Sequence, residues 1–386
     1  MYIIFLFLFN FCYADYFIQI PDIHYDKNYV VGAPTKCLLD ITGCCRNSSI
    51  TFTTSKPAGK WGDYNCDSPG ALITKTFEEA AKFNPDFVFF TGDIVDHNII
   101  HQRYDDNIEE IEWVIDQFKL FNTNNIFPVL GNHDTFPIDQ TAHIYGNMMD
   151  NIFTKWSEIY KLDAPNGYYS VYLKDNLRLI SINSVWYDKL NLFRLYYKNK
   201  LYNQYEWLKV TLEESKNKGD IVWIINHIVP DMSESTNYYN NMIGNIMYTY
   251  KDIIKLNLYG HIHSDTLKLY KKEDQYIGSG FISSSLMPDN HDPCFRVYEY
   301  DRENYNVLDY HQYCANLTET ELNYKKIYSF STTYDEKDLS LESVVSVYNK
   351  LINNKELAKL YCSYKQPINK NLDNDGKCIK EIVSEL

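Results

Sequence analysis

The sequence has no excess of positive charge. Lys and Arg number 37 against 51 Asp and Glu, a formal net charge of −14. Nucleic-acid recognition needs a basic footprint, so this balance argues against a nucleic-acid partner. It leaves an anionic substrate open, because bound metal ions reverse the local field. A long apolar run is missing too. The N-terminal "MYIIFLFLFNFCYADY" is too short to span a bilayer, and no other stretch is long and apolar enough for a transmembrane helix. Internal repeats and low-complexity tracts are absent as well. What remains is a globular chain of 386 residues whose 45% apolar content suffices for a real core. Its length suits roughly two or three domains, or one large α/β unit with an appendage.

Residues 1–14 resemble a secretory signal peptide ending at small Ala14, although no Lys or Arg precedes the apolar run. A buried first strand or helix is the alternative. Of nine cysteines, Cys12 leaves with that segment and eight remain. An even number outside the cytosol suggests four bridges. Joining the neighbours Cys44 and Cys45 would strain the peptide unit. The simplest pairing is Cys37–Cys44, Cys45–Cys66, Cys294–Cys314 and Cys362–Cys378, each bridge contributing on the order of 3 kcal/mol. Free buried thiols are the alternative. Asn47 ("NSS") and Asn316 ("NLT") lie in glycosylation sequons, which matter only in an exported chain.

Along the chain, residues 16–21 read as a strand and 27–69 as a long irregular segment stapled by cysteines. "GALITKTFEEAAKF", "NIEEIEWVIDQFKLF" and "YNQYEWLKVTLEESKNKG" have helical spacing, the last closed by Gly219. "DFVFFTGD", "NIFPVLGNHD" and "DIVWIINH" read as strands ending in polar residues. "GYYSVYLKDNLRLISINS" and "FRVYEYDRENYNVLDYHQY" read as hairpins. From about 326 the pattern becomes helical. Apolar strands with helical crossovers need cover on both faces, so the fold class is a layered α/β or α+β sandwich.

Five strand ends share a property: each finishes in metal-binding side chains. They are Asp22-x-His24, Gly92-Asp93, Gly131-Asn132-His133-Asp134, His227, and Gly260-His261-x-His263. Sites in α/β sheets gather at the carboxyl ends of strands, so five strands would deliver these residues to one place. Imidazole and carboxylate suit zinc, iron or manganese. In a strand, residues two apart share a face, so Asp22 and His24 would address one metal. His261 and His263 would address one ion or two adjacent ones. Each motif alone is weak, and "DxH" by itself is usually turn chemistry. The set in this order is specific.

The series resembles the calcineurin-like metallophosphoesterase superfamily, and more narrowly acid sphingomyelinase and the acid sphingomyelinase-like phosphodiesterases. The narrower match rests on "DIHYDKNYVVG", "CCR", "AGKWGDYNCDSP", "TGDIVDHNIIHQ", "GNHD", "FRVYEYD" and the helical tail with paired cysteines. The resemblance implies a four-layer β-sandwich flanked by helices over residues 15–325, followed by a C-terminal helical subdomain over 326–386. It implies two Zn2+ ions. Asp22, His24, Asp93 and His263 would hold one, and Asp93, Asn132, His227 and His261 the other, with Asp93 bridging. His97 and His133 match the pair beside the scissile phosphate. His133 is the first choice as general acid and His97 the second, and Asp134 is a candidate for orienting His133.

The implied activity is hydrolysis of a phosphodiester or phosphoanhydride by a metal-activated hydroxide. Its substrate would be of sphingomyelin, choline-phosphate or nucleotide type. The enzyme would be monomeric and secreted or lumenal, with the endolysosomal lumen among the compartments allowed. A phosphomonoesterase or nucleotidase on the same fold is the alternative, and a non-catalytic secreted metal-binding protein a further one. One departure is that the stretch between Ala14 and Asp22 leaves no room for a saposin domain. That favours the "-like" branch over efficient attack on membrane sphingomyelin. His101, His143, His291 and His311 read as ordinary surface or core histidines. Pocket walls are expected from the loops 27–69, 186–204 and 231–245.

Overall fold

The computed structural model describes residues 15–37, 44–47, 56–141, 148–162, 164, 166–288, 290–365, 378, 380 and 382. The proposed signal peptide and His143 lie outside them. Strands β1 (Asp15–Ile20), β2 (Phe87–Phe90) and β3 (Ile126–Pro128) alternate with helices α1 (Gly70–Ala81), α2 (Tyr104–Gln117) and α3 (Met148–Tyr160). Next come β4 (Tyr169–Lys174), β5 (Leu177–Ser181), α4 (Lys198–Lys218), β6 (Ile221–Ile225), α5 (Asn237–Tyr250), β7 (Ile254–Tyr259), β8 (Thr266–Lys272) and β9 (Gln275–Ile282). The chain then returns to the first sheet through β10 (Cys294–Tyr300), β11 (Val307–Ala315) and β12 (Tyr324–Ser329). It ends in α6 (Phe330–Tyr334), α7 (Leu341–Asn353) and α8 (Lys355–Lys365).

Two six-stranded sheets result, ordered β12-β11-β10-β1-β2-β3 and β4-β5-β6-β7-β9-β8. Strands β1, β2 and β3 are parallel neighbours, as are β5, β6 and β7. The period-two alternation of a strand explains the layering. Phe17, Phe87 and Phe89 turn toward the second sheet and meet Trp223 of β6, with Phe17 and Trp223 ring centroids 4.9 Å apart. Phe90, on the opposite face of β2, packs on Phe118 and Trp156 beneath the helices. Both faces of "FVFF" are therefore buried, as a parallel strand between two layers requires. Helix α1 packs on β10, α5 on β8 and β9, and α4 against α5. The order of layers is helix, sheet, sheet, helix.

The four bridges pair as the simplest arrangement has them: Cys37–Cys44, Cys45–Cys66, Cys294–Cys314 and Cys362–Cys378. Asn47 and Asn316 are both exposed. Several elements differ from the sequence reading. Residues 326–329, assigned there to the helical tail, complete β12, because Lys325, Lys326, Tyr328 and Ser329 pair with β11. The stretch 231–245, read as a loop, enters α5 at Asn237, where the Thr236 hydroxyl accepts from the Tyr239 N–H. Its buried Tyr239, Met242, Ile243, Ile246, Met247 and Tyr250 keep helical spacing among polar asparagines that mask it. Helix α3 had no sequence assignment. The C-terminal helices are tied to the second sheet by Tyr348 and Tyr361, whose hydroxyls bond the Leu267 carbonyl and N–H at 2.7 and 3.1 Å.

Candidate metal centre

The five polar strand ends do converge. Asp22 and His24 follow β1, Asp93 follows β2, and Asn132 follows β3. His227 follows β6, and His261 and His263 follow β7. These strands are parallel within their own sheets, so all five carboxyl ends open on one edge of the sandwich. Bonds across the seam hold the two sheets in register there. The Gln19 amide donates to the Tyr259 carbonyl at 2.8 Å, and the His261 N–H to Asp22 Oδ1 at 2.7 Å.

How the side chains meet differs from the strand-alternation argument. Asp22, His24, Asp93, His261 and His263 lie beyond the strands, with φ of +32°, +42°, +65°, +73° and +51°. Left-handed backbone at non-glycine residues is uncommon and concentrates at functional sites. These turns, rather than a shared pleat face, aim both members of each D-x-H or H-x-H pair inward. Gly131 permits the closest approach, because a Cβ there would lie 2.1 Å from Asp93 Oδ1.

Two groups of ligand atoms share Asp93, each gathered within 4.8 Å: Asp22, His24, Asp93 and His263, and Asp93, His227 and His261; a third such group, of His24, His97 and His263, overlaps the first. Asp93 belongs to both, its Oδ2 lying 3.5 Å from His24 Nε2 and 3.1 Å from His227 Nε2. Asn132 Oδ1 joins the second group, 2.8 Å from His227 Nε2 and 3.1 Å from His261 Nδ1.

The tautomers are set from behind. His24 Nδ1 donates to the Val95 carbonyl and His227 Nδ1 to the Thr91 carbonyl, so both Nε2 lone pairs face inward. His24 Nε2 then confronts His263 Nε2 at 3.0 Å, and His227 Nε2 confronts two oxygens. Asp22 Oδ2 is buried with no hydrogen-bond partner. Lone pairs aimed at lone pairs in a buried site call for cations between them, so the residues present fit two metal ions.

Charge in the site is strongly perturbed. Burial lifts the Asp22 carboxyl to about 6 against the pull of His263 and His227. Burial would raise Asp93 as well, but His227 and His133 hold it well below the usual carboxylate range. Burial opposes charge on His227, yet Asp93 and Asp22 lift it to about 9, so a proton on Nε2 takes the place that a cation would fill and a bound ion must displace it. Burial pushes His261 down to about 3 and His24 well below its ordinary value, which keeps these imidazoles neutral, as metal ligation demands.

His97 and His133 sit beside the clusters, their rings 4.4 Å apart and 4.0 and 4.7 Å from that of His24. They differ in setting. His133 is 7% exposed, and burial first, then His97, pushes it down to about 4. Its Nδ1 faces the Asp96 carbonyl at 3.3 Å. The His97 side chain is 35% exposed, and its Nδ1 donates to Asp67 Oδ1 at 2.7 Å, while Asp67 Oδ2 accepts the His97 backbone N–H. Burial works to raise Asp67, but His97 brings it below its usual range. Asp67 was missed in the sequence. Its signal was the "CDSP" next to Cys66, which the bridge to Cys45 fixes. Asp134 does not hold His133. It accepts the backbone N–H groups of Gly131, Asp93 and Ile94 and so clamps two ligand-bearing loops together. His101 is exposed. His291 is buried between Ser285 and Asp292, and His311 lies between Glu299 and Ser329, all away from the ligand groups.

Buried Arg46 of "CCR" anchors the outer wall by bonding both Asp26 and Asp96. Arg46 and Lys27 only partly offset the field at Glu110 of α2, which burial, then the charges of Asp96 and Asp26, push up to about 10. The folded protein therefore keeps Glu110 protonated, while the unfolded chain releases that proton above about pH 4.5. Stability lost to this group grows as pH rises from there toward the folded value. Glu110→Gln removes the loss. Denaturant unfolding should show a gain on the order of 1–3 kcal/mol near pH 7 and almost none near pH 4.

Two cation sites sharing a carboxylate at the mouth of a two-sheet sandwich are the layout of a dimetal phosphoesterase. Sequence comparison agrees. The calcineurin-like phosphoesterase profile matches residues 16–265, and the acid sphingomyelin phosphodiesterase C-terminal region matches residues 279–384. The chain belongs to the calcineurin-like phosphoesterases, in the branch related to acid sphingomyelin phosphodiesterase. Sphingomyelin phosphodiesterase A of Dictyostelium discoideum is 31% identical over 370 residues, covering 90% of this chain and 61% of the relative. The human cyclic GMP-AMP phosphodiesterase SMPDL3A is 31% identical over 378 residues, covering 89% and 81%. Among solved structures, a dimetal phosphatase from Danio rerio aligns over 81% of this chain at 13% identity, with a TM-score of 0.47. Among the described residues, no helix is long and apolar enough to cross a membrane.

Proposed function

We propose that the chain is a secreted or lumenal, monomeric, zinc-dependent phosphodiesterase. Its substrate is a phosphodiester or phosphoanhydride carried by a lipid headgroup, a choline phosphate or a nucleotide. The observation that carries the reading is the single oxygen of Asp93 lying between His24 Nε2 and His227 Nε2, where one carboxylate serves two ligand groups. Asp22, His24, Asp93 and His263 would hold one Zn2+, and Asp93, Asn132, His227 and His261 the other. When bound, the ions supply Lewis acidity at the phosphoryl oxygens and acidify a water. The relatives named for sphingomyelin and for cyclic GMP-AMP support a diester of either kind.

The remaining chemistry belongs to the histidine pair. An alkoxide is a poor leaving group and needs a proton, and a positioned donor contributes roughly 10²- to 10⁴-fold. The sequence ranks His133 ahead of His97 for this role, but the local geometry favours the reverse. Asp67 sets a carboxylate against His97 Nδ1 and the ring is open to solvent, whereas burial keeps His133 neutral. His133 then hydrogen-bonds the phosphoryl group or its leaving oxygen. The test of function is turnover of sphingomyelin, CDP-choline and nucleoside triphosphates at about pH 5 and about pH 7, with and without added zinc. Metal-dependent cleavage at one phosphodiester or phosphoanhydride bond is expected. Cleavage confined to phosphomonoesters would give the site to a phosphatase instead.

A further inference from the structure

Exposed apolar side chains gather in one short segment. Leu190, Leu192, Leu195 and Tyr196 are 57%, 63%, 54% and 82% exposed, and Tyr197 is 41% exposed. They lie on a turn and a short 3-10 helix, Leu192–Leu195, just ahead of α4. The segment 189–198 holds Lys189, Arg194 and Lys198 and no acid, and Asp188 just before it is buried. Along the sequence this stretch is basic in a chain of net charge −14, with the acids Asp139 and Glu234 near Asp188 at its base.

The segment is fastened to the metal centre. The Gln140 amide donates to the Leu190 carbonyl and accepts from the Leu192 N–H, and the Asn191 amide donates to Thr141. Gln140 follows Asp139, which accepts from the side chain of Asn132 and donates its own N–H to the Asn132 carbonyl. On its other side, Lys189 donates its backbone N–H to the Glu234 carbonyl and its ammonium to the Ser233 carbonyl. The apolar tip therefore stands on the same edge of the sandwich as the metal ligands and is held rigidly relative to them.

We infer that the segment 189–198 docks the catalytic edge on a phospholipid surface. Leucines and tyrosines would enter the headgroup boundary while the flanking Lys and Arg meet phosphate oxygens. Exposed leucines beside aromatic rings and long cationic side chains match the chemistry of that boundary, where Tyr partitions and Lys and Arg snorkel. The inference deepens the phosphodiesterase reading and rests on it for the substrate: it favours a diester presented by a membrane over one free in solution.

The test uses the full chain. Phosphatidylcholine vesicles, with and without phosphatidylserine, are floated with the protein and with a Leu192→Asn, Leu195→Asn, Tyr196→Ser variant. Phosphatidylserine should tighten binding, salt should weaken it, and the variant should lose at least about tenfold in partitioning. Turnover of vesicle-borne sphingomyelin should fall with it, while metal content and the denaturant unfolding midpoint stay those of the parent, which certifies the fold. Tyr196→Trp should show an emission blue shift on adding vesicles. Equal partitioning of the variant and the parent, or a Trp unmoved by lipid, would overturn docking. So would a lipid-free dimer that the same substitutions dissolve, since the patch would then belong to a second copy of the chain. Vesicle binding is read without catalysis, so loss of the phosphodiesterase reading and loss of docking are separable results.

Discussion

Asp93→Ala should remove metal and turnover together. The carboxylate is buried, belongs to both ligand groups, and offers an oxygen to each. Without it, His24 and His263 retain only Asp22 among carboxylates, and His227 and His261 retain none. Metal analysis of purified protein should fall from about two ions per chain to below one. Turnover should fall by at least about 10⁴-fold, because ion binding and charge stabilisation at phosphorus are lost at once. Asp93→Asn, which keeps the volume and removes the charge, should behave similarly. Its backbone contacts make it the better folding control, since Asp93 Oδ1 also accepts the His133 N–H. A fully loaded, active Asp93→Ala protein would dismantle the shared-carboxylate account.

His97→Ala should leave both ions in place and lower kcat by roughly 10²- to 10⁴-fold for substrates with alkoxide leaving groups. With nitrophenolate, which departs without a proton, the loss should shrink to within about tenfold. Asp67→Asn should follow in the same direction at about 10- to 100-fold, since it removes the charge that favours imidazolium and can accept only one of the two His97 N–H groups that Asp67 accepts. His133→Ala should lower turnover for both leaving groups alike if it acts as a neutral hydrogen-bond donor. The measurement is a pair of substrates of different leaving-group pKa, run on metal-replete protein. Should His133→Ala carry the leaving-group dependence and His97→Ala not, the proton donor is His133.

Much of this centre could be read in the sequence. Asp22, Asp93, Asn132, His227 and His261 each follow an apolar strand at once, and parallel strands open their carboxyl ends on one edge. That argument needs only burial patterning and topology. The left-handed backbone at Asp22, His24, Asp93, His261 and His263 was not legible, because only the pull of surrounding loops holds such residues at positive φ. Asp67 was hidden for another reason. It lies 30 residues from His97 in a segment without regular structure, where no periodicity marks direction. Asp134 was misassigned because neighbours in sequence are not neighbours in space: its oxygens reach the Ile94 N–H across the junction rather than the ring next door. The start of α5 was missed because asparagines occupy its solvent side, so composition outweighed spacing.

The Cys45–Cys66 bridge has a consequence for how the wall of the site is held. Cys45 adjoins Arg46, which grips Asp26 and Asp96, and Cys66 adjoins Asp67, which grips His97. Closing that covalent loop sets both grips together. Reducing that one bridge is therefore expected to loosen the grip on Asp26 and Asp96 and the grip on His97 at the same time.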